Sequence, residues 1–255
     1  MQYLSVEEAK ALPGLRLVLT RGVPGPWGEA AKAVLRARHV DFVAAEQLAG
    51  EDNTALAQWT GVRNAPVAIY NDEAPRTGYL DILMLAERLG SGVSLLPADP
   101  QQRFMALGIA SEICGHNGFG WAVRLLLFQQ LYSDPPIDPG LPAAQQQLCA
   151  DYGFTKGAVV GAADRACQIL GNLDCLLKDN PSGYLVGERL TAADLYWATF
   201  SMIISPLPHR DNPMPDQLRG LYDCQSAQIL NAFTPALKAH RDRIYTNHIG
   251  LPLDF

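Results

Sequence analysis

Side chains able to do acid–base, redox or metal chemistry are few in this sequence and stand far apart. No two of the five histidines have the spacing of metal ligands. The cysteines, also five, include no pair at the two-residue spacing of a zinc or redox motif. We therefore expect no metal site and no disulfide framework, and interpret the cysteines as small apolar residues on helices. The histidines are His39, His116, His209, His240 and His248; the cysteines are Cys114, Cys149, Cys167, Cys175 and Cys224.

The histidine whose surroundings most suggest chemistry is His116, because Gly115 and Gly118 flank it inside a stretch of helical composition, residues 102–130. An imidazole changes its charge near neutral pH and can act as a general acid or base. A hydrogen-bonded structural histidine is the alternative. Each glycine weakens a helix interior, so the glycines indicate either a break between packed helices or a ligand that passes close by.

The composition describes a chain long enough for one large domain or two modest ones: 255 residues, 48% of them apolar and 18% charged. Twenty basic residues against 26 acidic ones give a net charge of −6, and the basic residues are scattered, so we expect no nucleic-acid partner. No apolar run approaches the roughly 20 residues of a membrane helix, and the N-terminus lacks the pattern of a secretion signal. We therefore expect a cytoplasmic protein with no membrane partner.

Three short runs with β-branched or aromatic members predict strands over residues 15–20, 40–45 and 66–70. Between the first two, Pro26 suits the first turn of a helix whose apolar positions recur at helical spacing up to Arg38. A right-handed crossover makes the two strands of such a β-α-β unit parallel. The loop before this helix then lies at the carboxyl end of the first strand, where open α/β sheets bind ligands.

Further signals complete a β-α-β-α-β-turn-α order. Residues 52–59 predict a second helix that Gly61 ends, and Thr77 has the hydroxyl of an N-cap for a third helix that ends near residue 89. Glycine, serine and two prolines make residues 91–100 a linker. The sequence therefore predicts an α/β domain over residues 1–90 and an all-helical domain over residues 101–255.

The second half has the pattern of helices separated by loops. Residues 144–177 and 217–245 predict helices, and the clearest signal between them is the segment from Gly187 to Asp194, which precedes an apolar stripe at helical spacing. Thr191 can cap the amide of Asp194, and the Asp194 carboxylate can return to the amide of Thr191. Such a capping box stabilises the start of a helix and does no chemistry.

Two features together resemble the cytosolic glutathione transferase superfamily, as a divergent bacterial member. They are a thioredoxin-like first half with Ala65–Pro66 at the start of its third strand, and the capping motif in an all-helical second half. The resemblance implies a thioredoxin-like N-terminal domain that binds glutathione as cosubstrate, an all-α C-terminal domain, and a homodimer. It also implies a cis peptide bond before Pro66, so that the backbone of Ala65 pairs with the cysteinyl backbone of glutathione.

The resemblance places the γ-glutamyl end of glutathione at Arg76 and Thr77, where the family has a Glu-Ser or Gln-Ser pair. Thr77 keeps the hydroxyl. The guanidinium of Arg76 can hold a carboxylate, but it cannot receive the ammonium group as Glu would. This departure leaves open whether Arg76 supports or abolishes the contact.

The residue that activates the glutathione thiol is missing from its usual place. Many bacterial members have Ser or Cys near the position of Gly25, which has no hydroxyl. The remaining donors are the guanidinium of Arg21 and the amides of residues 25–28, then the hydroxyl of Thr20, with the indole of Trp27 as a further candidate. The structural alternatives are that Thr20 ends its strand and that Trp27 anchors the loop.

The resemblance also implies that the first long helix after the linker lines the electrophile site. Its candidate substrate-binding residues are Glu112, His116, Trp121 and Arg124, although Arg124 and Glu112 can equally form an interdomain ion pair. The predicted reaction is attack of the glutathione thiolate on a small hydrophobic electrophile. The residues at positions 25 and 76 favour the alternative, a noncatalytic binding or scaffold protein of the same fold.

Overall fold

The computed structural model describes residues 1–255, and its strands all lie within the first seventy. The strands are β1 (Tyr3–Leu4), β2 (Leu15–Thr20), β3 (Val43–Gln47) and β4 (Val67–Tyr70). The helices of the same region are α1 (Val6–Lys10), α2 (Pro26–Ala37), α3 (Thr54–Thr60) and α4 (Tyr79–Leu89). The remaining helices are α5 (Pro100–Cys114), α6 (Phe119–Tyr132), α7 (Ala143–Asp151), α8 (Lys156–Val159), α9 (Ala162–Asp179), α10 (Ala192–Ser201), α11 (Asp216–Tyr222), α12 (Ala227–Ala232) and α13 (Pro235–Ile244). None of the helices has both the length and the apolar character needed to cross a bilayer.

The four strands form one mixed sheet in the order β1-β3-β2-β4. β2 and β3 are parallel, as the β-α-β pattern predicts, and β4 is antiparallel to β2. Successive residues of β2 pack on opposite faces: Leu17 belongs to the core shared with α2, whereas Val18 packs with Leu56 of α3. The sheet is therefore covered on both faces. The carboxyl end of β2 lies beside the start of α2.

The predicted strands are present, with β3 displaced to Val43–Gln47 from the predicted 40–45. β1 and α1 have no counterpart among the predicted elements. The sequence does carry a signal for α1, because Ser5 and Glu8 form a capping box at its start. β1 has only two residues and carries no such signal.

The prediction that Thr77 caps the third predicted helix is wrong, because Gly78 is the N-cap of α4. A bridge between Ala68 and Arg76 holds the preceding chain extended, so the helix starts two residues after Thr77. A single helix over 217–245 is also wrong: that stretch divides into α11, α12 and α13, and Pro235 opens the last of them.

Glycines divide two other predicted helical stretches. Residues 144–177 divide into α7, α8 and α9 at Gly153 and Gly161, which both have positive φ angles. Residues 102–130 divide into α5 and α6 at the segment 115–118, so the glycines around His116 mark a break between two helices. Of the two interpretations of these glycines, the structure therefore shows the break between packed helices.

α10 forms the centre of the helical half, and every one of its residues is buried. The Asp194 carboxylate accepts hydrogen bonds from the amide and hydroxyl of Thr191 and from the amide of Leu185, each at 2.8 Å. Nε2 of the buried His240, on α13, lies 2.9 Å from the same carboxylate. The predicted capping box is therefore confirmed, and it also ties α13 to the start of α10.

Candidate functional site

A cavity of about 200 Å³ lies where the carboxyl end of β2, the first turn of α2 and the helical half meet. Its walls come from both halves of the chain. The lining residues are Tyr3, Leu19, Thr20, Val23, Gly25, Trp27, Gly28, Glu29, Gln47, Ala49, Gly50, Asn64, Ala65, Arg124, Leu148, Tyr152 and Tyr222. The site therefore lies at the sheet edge that the β-α-β pattern indicates as a ligand site.

Five of the candidate site residues line this cavity together: Thr20, Gly25, Trp27, Ala65 and Arg124. The structure does not bring the others to it. Those outside are Arg21, Pro66, Arg76, Thr77, Glu112, His116 and Trp121. Pro66 follows Ala65 directly and instead packs around a smaller neighbouring space with Trp27 and Tyr79.

Backbone groups along one wall of the cavity are free to bind a ligand. The Ala65–Pro66 peptide bond is cis, as expected. The N–H and C=O groups of Ala65 make no hydrogen bond within the chain. At the start of α2, the amides of Trp27 and Gly28 belong to the first helical turn and have no partner. This wall therefore offers three N–H donors and one carbonyl acceptor, at the positive end of a helix dipole.

The side chains expected to activate a thiol are engaged elsewhere. Arg21 is 61% exposed and pairs with Glu46 at 2.9 Å, so its guanidinium lies outside the cavity. The hydroxyl of Thr20 donates to Oε1 of Gln47 at 2.7 Å. The indole of Trp27 donates to the carbonyl of Cys114 at 3.1 Å, which is the anchoring alternative for this residue.

The segment before α4 also differs from its expected role. The Arg76 guanidinium contacts a carboxylate oxygen of Glu73 at 2.5 Å and donates to the carbonyl of Ala74 at 3.0 Å. Bonds to Arg88 and then to Arg76 lower the pKa of Glu73, so this carboxylate stays ionised and holds both guanidinium groups. Thr77 is exposed, and its hydroxyl makes no hydrogen bond. The Arg76 guanidinium is therefore committed to its own loop.

Among the candidates from the helical half, only Arg124 reaches the cavity. Its guanidinium lies 5.6 Å from the ring centre of Trp27 and 5.6 Å from that of Tyr152. Arg124 forms no ion pair, and its Nε is enclosed without a hydrogen-bond partner. Burial raises the pKa of Tyr222, which also lines the cavity, and the charge of Arg124 together with its hydrogen bond to the Tyr222 hydroxyl acts against that rise. Two aromatic rings and a neutral phenol thus surround the cation.

The predicted alternative of an ion pair between Arg124 and Glu112 is wrong. Glu112 is exposed and pairs with Arg165 of α9 at 2.7 Å. His116 stacks on Trp121 with ring centres 4.1 Å apart. The Trp121 indole in turn donates to the carbonyl of Tyr152 at 3.1 Å. Trp121 therefore positions a cavity residue without lining the cavity.

Sequence reasoning missed the three tyrosines of the cavity. Tyr152 follows α7 and Tyr222 ends α11, and no local motif distinguishes either one. Tyr3, on β1, has a phenol whose pKa burial and the nearby Glu29 raise to about 12. Tyr3 therefore stays protonated at neutral pH and presents a neutral hydroxyl to the cavity.

Glu29 is the second charged residue of the cavity wall. Burial raises its pKa, and Lys32 lies 2.7 Å from the carboxylate and opposes that rise. Glu29 therefore has its own cationic partner. Arg124 has no anionic partner, and its positive charge is therefore the unbalanced charge of the site.

No protein-family model and no curated protein matches the sequence. Solved structures do match its fold. One is a glutathione transferase family member from Pseudomonas fluorescens with two glutathione molecules bound, with a TM-score of 0.64, 15% identity, and coverage of 97% of this chain and 98% of that one. Another is monomeric Na-GST-3, a glutathione S-transferase from the hookworm Necator americanus, with a TM-score of 0.58, 16% identity, and coverage of 92% and 93%. A third is Ure2p in complex with glutathione, with a TM-score of 0.55, 14% identity, and coverage of 87% and 99%.

These structural similarities extend over most of this chain and nearly all of each matched chain. At such identities they establish the fold and not the activity. The chain therefore has the glutathione transferase fold, with a thioredoxin-like α/β N-terminal part followed by a helical C-terminal part.

Proposed function

We propose that this protein binds glutathione along the wall formed by Ala65 and the start of α2, and delivers the thiolate to a small hydrophobic electrophile. The observation that carries the proposal is the unpaired N–H and C=O of Ala65 on the cavity wall. A peptide backbone can satisfy both groups at once, as an added strand does at a sheet edge. Glutathione-bound structures with this fold support the choice of peptide.

The start of α2 supplies the environment for the thiolate. The unpaired amides of Trp27 and Gly28, together with the helix dipole, favour a negative charge there. The φ and ψ angles of Gly25 are −63° and 135°, and an added Cβ meets no atom within 4 Å. The site therefore has room for a side-chain donor that this sequence does not provide.

At the γ-glutamyl end, we propose that the exposed hydroxyl of Thr77 and the first amides of α4 receive the carboxylate, without Arg76. Replacing Arg76 with alanine then changes the affinity for glutathione less than twofold, because Glu73 and Ala74 already hold the guanidinium. A loss of tenfold or more in the Arg76→Ala variant contradicts this arrangement. Isothermal titration calorimetry makes the comparison.

We also propose the finer organisation that the resemblance implies. Residues 1–90 form the glutathione-binding domain, residues 91–100 the linker and residues 101–255 the helical domain, in a cytoplasmic homodimer. Light scattering coupled to size-exclusion chromatography tests the dimer directly. A mass of about one chain at all concentrations contradicts it.

A noncatalytic glutathione-binding protein is the second candidate, and a specific observation favours it. Gly25 has no side-chain donor, and Arg21 pairs with Glu46 outside the cavity. A screen with 1-chloro-2,4-dinitrobenzene, an epoxide and a peroxide separates the two candidates. Turnover of any of them above the uncatalysed rate supports the enzyme, whereas glutathione binding without turnover supports the binding protein.

Calorimetry with glutathione tests both candidates together. We expect saturable binding by the folded protein at micromolar to millimolar glutathione. If circular dichroism confirms the folded state and titration to 10 mM glutathione gives no binding, both candidates are refuted.

A further inference from the structure

The cation of Arg124 is the least explained feature of the cavity. Arg124 is half-buried; arginine stays protonated in proteins, and withdrawing a charge from water is costly unless the charge is paired. Here the Nε is enclosed and unbonded, no carboxylate pairs with the guanidinium, and its central carbon lies 5.6 Å from the ring centres of Trp27 and Tyr152. The rings help to fix the orientation of the guanidinium. They do not balance its charge.

The terminal nitrogens of Arg124 remain available to a ligand. No carboxylate or carbonyl of the chain accepts from them, their partner within the chain is the neutral hydroxyl of Tyr222, and the residue lines the cavity. A guanidinium presents parallel N–H groups that match the two oxygens of a carboxylate. An arginine that binds a carboxylate elsewhere in the same half shows the contrast, because Arg165 pairs with Glu112 at 2.7 Å. Arg124 has the same chemistry, and its place for a carboxylate is inside the cavity.

The missing carboxylate belongs to a second ligand. The proposed glutathione wall is formed by Ala65 and the start of α2, all from the first half of the chain, whereas Arg124 lies on α6. Around Arg124 the walls are apolar or aromatic, with Leu148, Tyr152 and Trp27. A ligand that fits this part of the cavity has a flat apolar body and one acidic group.

We propose that the second substrate is an aromatic or unsaturated carboxylic acid whose carboxylate is held by Arg124. This inference rests on the proposed function, and it narrows the electrophile from any small hydrophobic compound to an anionic one. A suitable reaction is addition of the thiolate to an unsaturated keto acid such as 3-benzoylacrylate. Sulfur bonds to the alkene carbon beside the carboxylate, the π pair moves to the ketone oxygen as an enolate, and a solvent proton ends on the other alkene carbon.

Binding of an unreactive acid tests the subsite without catalysis. The probes are 3-phenylpropionate and its amide, which have the same shape and differ in charge, titrated calorimetrically with and without saturating S-methylglutathione. We expect the protein to bind the acid at least tenfold more tightly than the amide. Equal affinities, or no binding of either probe at 10 mM, overturn the proposal.

Variants identify the residue responsible for the preference. In Arg124→Gln the acid and the amide bind equally, and in Arg124→Lys part of the preference for the acid remains. Arg165→Gln removes the same charge outside the cavity and keeps the full preference. A preference that survives in Arg124→Gln overturns the assignment. Arg124→Met provides a second neutral variant if Arg124→Gln does not fold.

Kinetics connect the subsite to the reaction. We expect the wild type to use 3-benzoylacrylate with a kcat/KM at least tenfold above the kcat/KM for its methyl ester, after correction for the uncatalysed rates. In Arg124→Gln we expect the ratio of these two kcat/KM values to fall to about one. Turnover of both compounds with a ratio of one refutes the acidic substrate and leaves the glutathione assignment intact. Calorimetry that shows the acid preference but no glutathione binding refutes the proposed function and leaves the anion subsite.

Discussion

Gly120 is the position where a single methyl group gives the most informative perturbation of this fold. It lies in the first turn of α6, and an added Cβ would be 2.5 Å from Cδ1 of Phe200 and 3.2 Å from the ring of Trp27. Phe200 is fully buried on α10, and its ring centre is 4.8 Å from that of Trp27. The added carbon and the Phe200 ring cannot both occupy this space, so the ring must move. It moves against the side chain of Trp27, which lines the cavity.

The magnitude follows from two opposing terms. Alanine gains up to about 1 kcal/mol over glycine from helix propensity. Forcing an extra carbon into a packed core costs about 1–3 kcal/mol. Gly120 is in the first turn, where the propensity gain is smallest, so we expect Gly120→Ala to lower the free energy of unfolding by about 1–2 kcal/mol. For a chain of this size that corresponds to a fall in Tm of about 2–8 °C.

Gly108 supplies a matched control on the neighbouring helix. It lies inside α5, is exposed, and an added Cβ there meets no atom within 4 Å. Gly108→Ala therefore raises the free energy of unfolding by about 0.5–1 kcal/mol, because the propensity gain is unopposed. Urea unfolding followed by circular dichroism measures both variants. The reasoning is refuted if Gly120→Ala is as stable as the wild type or more stable.

Three further predictions address the site, the helical core and the pH dependence. Gly25→Ser adds a hydroxyl in open space beside the start of α2 and lowers the pKa of the bound glutathione thiol, measured by thiolate absorbance, whereas Gly25→Ala does not. Asp194→Asn replaces one of the two buried acceptor oxygens with an NH2 group that faces N–H or O–H donors, and it destabilises the fold by about 3 kcal/mol in urea unfolding; a loss below about 1 kcal/mol contradicts this role. Burial acts to raise the pKa of Asp254, but hydrogen bonds from Arg36 and the charge of Lys32 outweigh it and lower that pKa. The resulting stabilisation is present above the unfolded-state pKa and is lost as the pH falls through the lower folded-state value. The free energy of unfolding of Asp254→Asn is therefore lower than that of the wild type by less than about 1 kcal/mol at pH 6, and this difference shrinks below about pH 4.

Elements whose signals lie within a few residues were predictable. The Thr191 and Asp194 pair specifies its helix start through contacts three residues apart, and Pro26 does the same for α2. The run of residues 15–20 predicts β2 with its bounds, and residues 15–19 are all buried because both faces of the sheet are covered. The C-terminal helices were less predictable: α12 packs on α9, and α13 packs on both α9 and α10, contacts that no local pattern reveals.

The sequence by itself determined the elements with strong local signals and the parallel β-α-β unit, and the family resemblance implied the free backbone groups at Ala65. Only the tertiary structure decided which side chains face the cavity. Glu46 holds Arg21 and Glu73 holds Arg76 away from it, while α6 brings Arg124 in without a partner. The physical reason is the separation of the interacting residues along the sequence. Helix caps and hydrophobic periodicity involve residues a few positions apart, whereas the pairing of charged side chains depends on residues that only folding brings together.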